Sequence, residues 1–125
     1  AKVRSEETAS QLAARMRSVG KRFGLTMICL QTDGSQPVGR GIGPALEALD
    51  VLAVLQNAPH APDDLRRRAA MLAGAALEFA GKVGEGEGMA LALKTLSNGS
   101  AWSKFQAICE AQGGMRVPPT ATNVH

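Results

Sequence analysis

The sequence has no tyrosine, one tryptophan and three phenylalanines, so aromatics make up only 3% of it. Proteins that read single-stranded nucleic acid stack bases on aromatic rings, and that class is disfavoured. The formal net charge is only +3, from 14 Lys+Arg against 11 Asp+Glu. So small an excess makes no phosphate-tracking surface, and no nucleic-acid partner is expected. The two cysteines, Cys29 and Cys109, stand far apart and form no C-x-x-C pair. They read as unpaired, small apolar residues of a reducing compartment. The two histidines, His60 and His125, lack neighbours at metal-ligand spacing, which argues against a zinc centre. Ser35, Ser100 and Ser103 lie outside any nucleophile elbow. No apolar run reaches the roughly 18 residues of a membrane span. Residues 1–8 are too polar for a signal peptide, so a cytoplasmic setting with no membrane contact is expected.

Within its 125 residues, 45% hydrophobic, the chain has material for one core. Residues 5–22 predict an amphipathic helix capped by Ser5, with Ala9, Leu12, Ala13, Met16 and Val19 inward and Gly20 and Gly24 bracketing its end. Residues 25–31 form a short apolar run between Gly24 and a Thr-Asp-Gly turn, which predicts a buried β-strand. Further helices are predicted at about 44–56, 62–79, 88–97 and 100–111. In the third of these five helices Leu65, Ala69, Leu72, Ala73, Ala76 and Leu77 should face inward; in the last, Trp102, Phe105, Ile108 and Cys109 should. The expected class is α/β, predominantly helical with about five helices and at least one strand near 25–31. A lone strand cannot satisfy its edge groups. Either other strands lie elsewhere, or it pairs with another chain, or it is not a strand.

The loop 33–44, Asp-Gly-Ser-Gln-Pro-Val-Gly-Arg-Gly-Ile-Gly-Pro, is the most unusual stretch. A glycine-rich loop ahead of a helix can cradle an anion, with Gly39, Gly41 and Gly43 admitting a phosphate to the backbone and Arg40 binding it bidentately. The spacing is neither the Rossmann nor the P-loop pattern, and the competing reading is a tight connection whose glycines serve turns alone. Asp33 could exchange a proton with a ligand held there, or simply form a turn. Glu47 and Asp50, one helical turn apart, could share a cation or lie solvated. Arg66, Arg67 and Arg68 read as a solvated triplet, one of which could reach a phosphate.

The stretch Thr32-Asp33-Gly34-Ser35-Gln36-Pro37-Val38-Gly39-Arg40-Gly41-Ile42-Gly43-Pro44-Ala45-Leu46-Glu47 resembles the pyrimidine-nucleoside phosphorylase family, in its AMP phosphorylase and type-2 thymidine phosphorylase branch. Asp64-Leu65, Leu72-Ala73-Gly74 and Ile108-Cys109-Glu110-Ala111-Gln112-Gly113-Gly114 add to the match, which runs over nearly the whole chain. The resemblance implies phosphorolysis, in which inorganic phosphate as co-substrate attacks the sugar C1′ of a nucleoside or nucleotide and the base leaves. It implies Asp33 as proton donor to the base, substrate contacts at Gly41 and Arg68 beside those read from the loop at Gly39 and Arg40, and a homodimer or larger assembly. It also implies a monovalent or calcium ion held at Val38, Gly41 and Asp50. Family members run to roughly three or four times this length as multi-domain enzymes. The chain therefore reads as an internal slice: 1–112 as part of the α/β catalytic domain, 113–125 as an extended tail or linker toward a C-terminal domain. The family's upstream phosphate loop and its base-binding residues are not found in it, so the isolated chain is expected to be inactive. The alternative is a non-catalytic helical module that binds a nucleotide or phosphate, or that self-associates.

Overall fold

The termini of the helices follow from local chemistry. In the computed structural model, which describes residues 3–118, the helices are α1 (Glu6–Arg22), α2 (Pro44–Leu55), α3 (Asp63–Phe79), α4 (Gly88–Ser97) and α5 (Ser100–Ala111). Ser5 caps α1, its hydroxyl accepting the Thr8 N–H at 3.1 Å. Glu6 and Glu7 face the positive end of that helix, and Lys21 and Arg22 the negative end. Pro44 opens α2, where its missing N–H costs nothing. At the other ends, Gly24, Asn57, Gly81 and Gly113 turn left-handed after α1, α2, α3 and α5. Each passes its N–H, and that of the next residue, back to carbonyls of the last turn. That double hydrogen bond is the Schellman stop.

The chain divides into two compact units, Ala1–Pro37 and Val38–His125. In the first, the segment after α1 returns along it. Met27 packs on Gly20, where a β-carbon would collide with the thioether. The Cys29 thiol approaches the Ala13 carbonyl at 3.9 Å, and the Gln31 amide donates to the Ser10 hydroxyl at 3.1 Å. Gly20 is thus a contact surface inside α1 rather than its terminator. Of the stripe expected to face inward, Ala13 is buried, whereas Leu12, Met16 and Val19 are exposed.

The expected strand is corrected here. No β-strand occurs among the described residues, and 25–31 is extended chain without a ladder. Its side chains still alternate: Met27 and Cys29 are half-buried, while Ile28 and Leu30 are exposed. Period two is present, but α1 offers it side-chain contacts and no row of backbone partners. A strand exists only when a neighbour pairs its N–H and C=O groups. The described chain is all-helical, so the strand part of the α/β expectation is not supported.

In the second unit α3 and α4 make the closest contact. Ala70 and Gly74 of α3 meet Gly88 and Ala92 of α4, each pair spaced four apart and all four residues buried. A β-carbon on Gly74 would lie 2.7 Å from the Gly88 carbonyl carbon, and one on Gly88 would lie 2.6 Å from that of Gly74. The Glu78 carboxylate then accepts the Gly88 N–H at 2.8 Å, capping α4 from α3. This corrects the buried face expected for α3. Leu72, Ala69, Ala73 and Ala76 are exposed, and the inward stripe runs through Ala70 and Gly74 instead. Small residues let the two backbones approach, and that approach outweighed leucine count in setting the helix rotation. A second cluster joins Ala53 and Val54 of α2, Ala61 and Leu96, with Leu55, Leu65 and Ala101 against it. On α5, Trp102 stacks on Phe105 with ring centroids 5.9 Å apart, both half-buried, but Ile108 is exposed. Residues 113–118 carry the helix stop and exposed chain; the rest of the expected tail, His125 included, lies outside the described residues.

Candidate functional site

In the first unit, Asp33 sits at the end of the returning segment. Its Oδ1 accepts the Ser35 N–H at 2.9 Å, the hydrogen bond of an Asx-turn, which fixes the direction of the carboxyl group. A cleft of about 700 Å³ opens beside it, lined by Arg4, Ser5, Glu6, Thr32, Asp33 and Ser35 among others. That volume falls in the ordinary range of small-molecule sites. The cleft presents charges of both signs and hydroxyl groups around Asp33.

In the second unit, carboxylates gather the glycine-rich loop. Asp64, in the first turn of α3, accepts the Gly39 N–H through Oδ2 at 3.0 Å and the Leu65 N–H through Oδ1 at 2.8 Å. Asp50 on α2 accepts two N–H groups through a single oxygen, from Arg40 at 2.6 Å and from Gly41 at 2.7 Å. Glu47, one turn earlier, accepts the Gly43 N–H at 3.0 Å. The Arg40 side chain donates to the His60 carbonyl at 3.0 Å, tying the loop to the α2–α3 connection. The Gly39 and Leu65 amides hold the Asp64 carboxyl below the ordinary carboxylate value, because they stabilise the ionised form.

This geometry accounts for the glycines locally. Gly39 adopts φ +89°, and a β-carbon there would lie 2.8 Å from Asp50 Oδ2. A β-carbon on Gly41 would lie 2.6 Å from the Leu46 carbonyl oxygen, main chain that cannot step aside. The loop N–H groups that sequence reasoning offered to a phosphate are thus engaged by the protein's own carboxylates. Arg40 keeps further donors, since a guanidinium carries five N–H groups.

Arg68 is half-buried on α3, one turn beyond Asp64 and on the same helical face. Its triplet neighbours have structural tasks. Arg66 donates to the Asn57 side chain at 2.6 Å, bracing the turn after α2, and Arg67 pairs with Asp63 at 2.8 Å on the exposed surface. Asp33 lies in one unit, and Gly39, Arg40, Gly41 and Arg68 belong to the other.

The sequence analysis misses the role of two carboxylates in holding the loop. Asp64 reads in sequence only as an acidic residue of a helix's first turn, and the signal that would have marked it is its place in the Asp64-Leu65 match. Asp50 reads in sequence as an ion ligand, whereas in the structure it accepts backbone N–H groups. The implied ion set fits this arrangement poorly. Calcium takes about six to eight oxygen ligands, and the one carboxylate of the set, Asp50, has an oxygen turned to two N–H dipoles. Among the described residues no three His, Cys, Asp or Glu side chains gather as metal ligands. No helix there is long and apolar enough to cross a membrane.

No family model matches the chain. Curated relatives match it end to end. A protein of a Chelativorans species named "putative thymidine phosphorylase" is 72% identical over 125 residues, all of this chain and 25% of its own length. Proteins with the same name from Parvibaculum lavamentivorans and Sphingopyxis alaskensis are 60% and 55% identical, over 99% and 100% of this chain and 25% and 24% of their own lengths. The chain spans about a quarter of the length of the curated relatives it matches. At these identities over its full extent, the chain corresponds in sequence to one segment of relatives that carry a thymidine phosphorylase name.

Proposed function

We propose that the whole protein carrying this chain is a nucleoside or nucleotide phosphorylase, a pentosyltransferase that cleaves the N-glycosidic bond of thymidine or AMP with inorganic phosphate. The observation that carries the reading is identity of 55–72% over the full chain to relatives bearing a thymidine phosphorylase name. In the reaction a phosphate oxygen forms the bond to C1′ as the C1′–N bond breaks. The electron pair of that bond leaves with the base, and a proton must reach the base nitrogen. Asp33 supplies that proton, its carboxyl aimed by the Ser35 N–H beside a cleft large enough for a base. Arg40 and Arg68 supply the cationic contacts to phosphate groups, and the loop at Gly39 and Gly41 forms a rigid wall of that site. The chain alone carries only part of the residues that such a reaction needs and is inactive by itself.

The test uses the full-length protein. Free base should appear from thymidine or AMP only when inorganic phosphate is present, with the pentose 1-phosphate as co-product. Asp33→Asn should lower turnover by about 10²-fold or more, the usual scale of a lost general acid. No base release from any nucleoside or nucleotide would end the phosphorylase reading. Undiminished turnover in the variant would remove Asp33 from it.

A further inference from the structure

The observation that the proposed chemistry leaves unused is the pair of carboxylates under the glycine-rich loop. Asp50 comes from α2 and Asp64 from α3, and between them they take three consecutive amides, Gly39, Arg40 and Gly41. Successive N–H groups that converge on one anion form a nest, the backbone device that proteins use to bind anions, and the Arg40 and Gly41 amides converge in this way on Asp50 Oδ2. Here the anion is internal. The two contacts to Asp50, at 2.6 and 2.7 Å, have the short lengths of charge-assisted hydrogen bonds.

We infer that Asp50 and Asp64 are positioning residues that hold the 38–43 loop in its working shape by accepting its amides, and that the loop needs no bound cation to keep that shape. An ion that organised this loop would draw carbonyl oxygens toward itself and repel N–H dipoles. At Asp50 Oδ2 the structure has the opposite polarity, with two N–H groups pointing to that oxygen. The restraint also comes from two helices at once, so the loop is tied across the α2–α3 junction. The Arg40 hydrogen bond to the His60 carbonyl closes the same junction from the side-chain end. Gly39 completes the fit, because the space that a β-carbon would take there is filled by the Asp50 carboxylate. The inference concerns the loop's order and stands whether or not the protein is a phosphorylase.

Amide hydrogen exchange on the full-length protein, without substrate, tests it. Exchange of the 38–43 peptide is compared in buffer, with a chelator, and with added calcium or potassium chloride. It should be slow and the same in all of these. Asp50→Ala should speed exchange of that peptide by about tenfold or more, the scale of losing a hydrogen bond to a charged group. Asp50→Asn, which retains an acceptor oxygen, should restore part of the protection. Asp64→Ala, at an exposed position, should speed exchange at Gly39 even if the Asp50 variant fails to fold. Loss of protection on chelation, recovered by adding a cation, would overturn the inference. So would unchanged exchange in Asp64→Ala together with either Asp50 variant. Because exchange is read without turnover, none of these outcomes depends on the phosphorylase reading.

Discussion

Replacing Gly74 with alanine separates intrinsic helix preference from packing, because the two predict opposite signs. Gly74 lies inside α3, where alanine is favoured over glycine by about 1 kcal/mol on propensity alone. The structure points the other way. The added methyl would lie 2.7 Å from the Gly88 carbonyl carbon and 2.8 Å from the Met89 Cα. Both are main-chain atoms at the start of α4, so relief requires the helices to separate. Overpacking of this kind costs about 1–3 kcal/mol, and backbone on the opposing side places it at the upper end. Separation also stretches the Glu78 hydrogen bond to the Gly88 N–H. After subtracting the propensity gain, the net loss is about 2 kcal/mol, or roughly 8 °C in melting temperature for a domain of this size. Urea and thermal unfolding followed by helical circular dichroism read the change. Ala73→Gly, at the exposed neighbouring position, calibrates propensity in the same helix and should cost about 1 kcal/mol. If Gly74→Ala raises the midpoint, the small-residue contact between α3 and α4 is wrong.

Ser5→Ala should destabilise α1 by about 1 kcal/mol through loss of the Thr8 N–H acceptor, seen as faster amide exchange in the first turn of that helix; unchanged exchange would mean that the cap carries no weight. Asp64 has a carboxyl held below its ordinary value, so its contribution to stability is fully present above the unfolded-state pKa of about 3.9 and is lost as pH falls through the lower folded value. Melting temperature should therefore fall less steeply below about pH 4 in Asp64→Asn than in the unaltered protein, and identical acid profiles would contradict the assigned hydrogen bonds. Arg67→Ala should change stability by no more than about 0.5 kcal/mol, because its ion pair with Asp63 is exposed and solvent-screened. A larger loss would require a partner for Arg67 beyond Asp63.

Much of the fold was legible because helices declare themselves locally. Ser5, Pro44 and the residues that turn left-handed after α1, α2, α3 and α5 carry their meaning within a few positions of sequence. The rotation of α3 was not legible in the same way. A leucine count selects one stripe, but which stripe is buried depends on the surface of α4, whose Gly88 lies 14 residues beyond Gly74. The extended segment 25–31 shows the same division. Its alternating pattern is a local property, visible in the burial of Met27 and Cys29, whereas strandhood needs a ladder partner. The Asp33 turn was likewise readable from Asp33-Gly34-Ser35 alone.

What the sequence by itself determined is where each helix begins and ends, the Asx-turn at Asp33, and, through the motif from Thr32 to Glu47, the group of proteins that this chain resembles. What tertiary structure decided is the use of the glycine-rich loop's backbone. Composition and spacing present the backbone at Gly39 and Gly41 as open to a phosphate. Only the approach of α2 and α3 brings Asp50 and Asp64 onto those amides. A hydrogen bond between residues ten or twenty-five positions apart has no local signature, because its energy depends on a distance that folding alone creates.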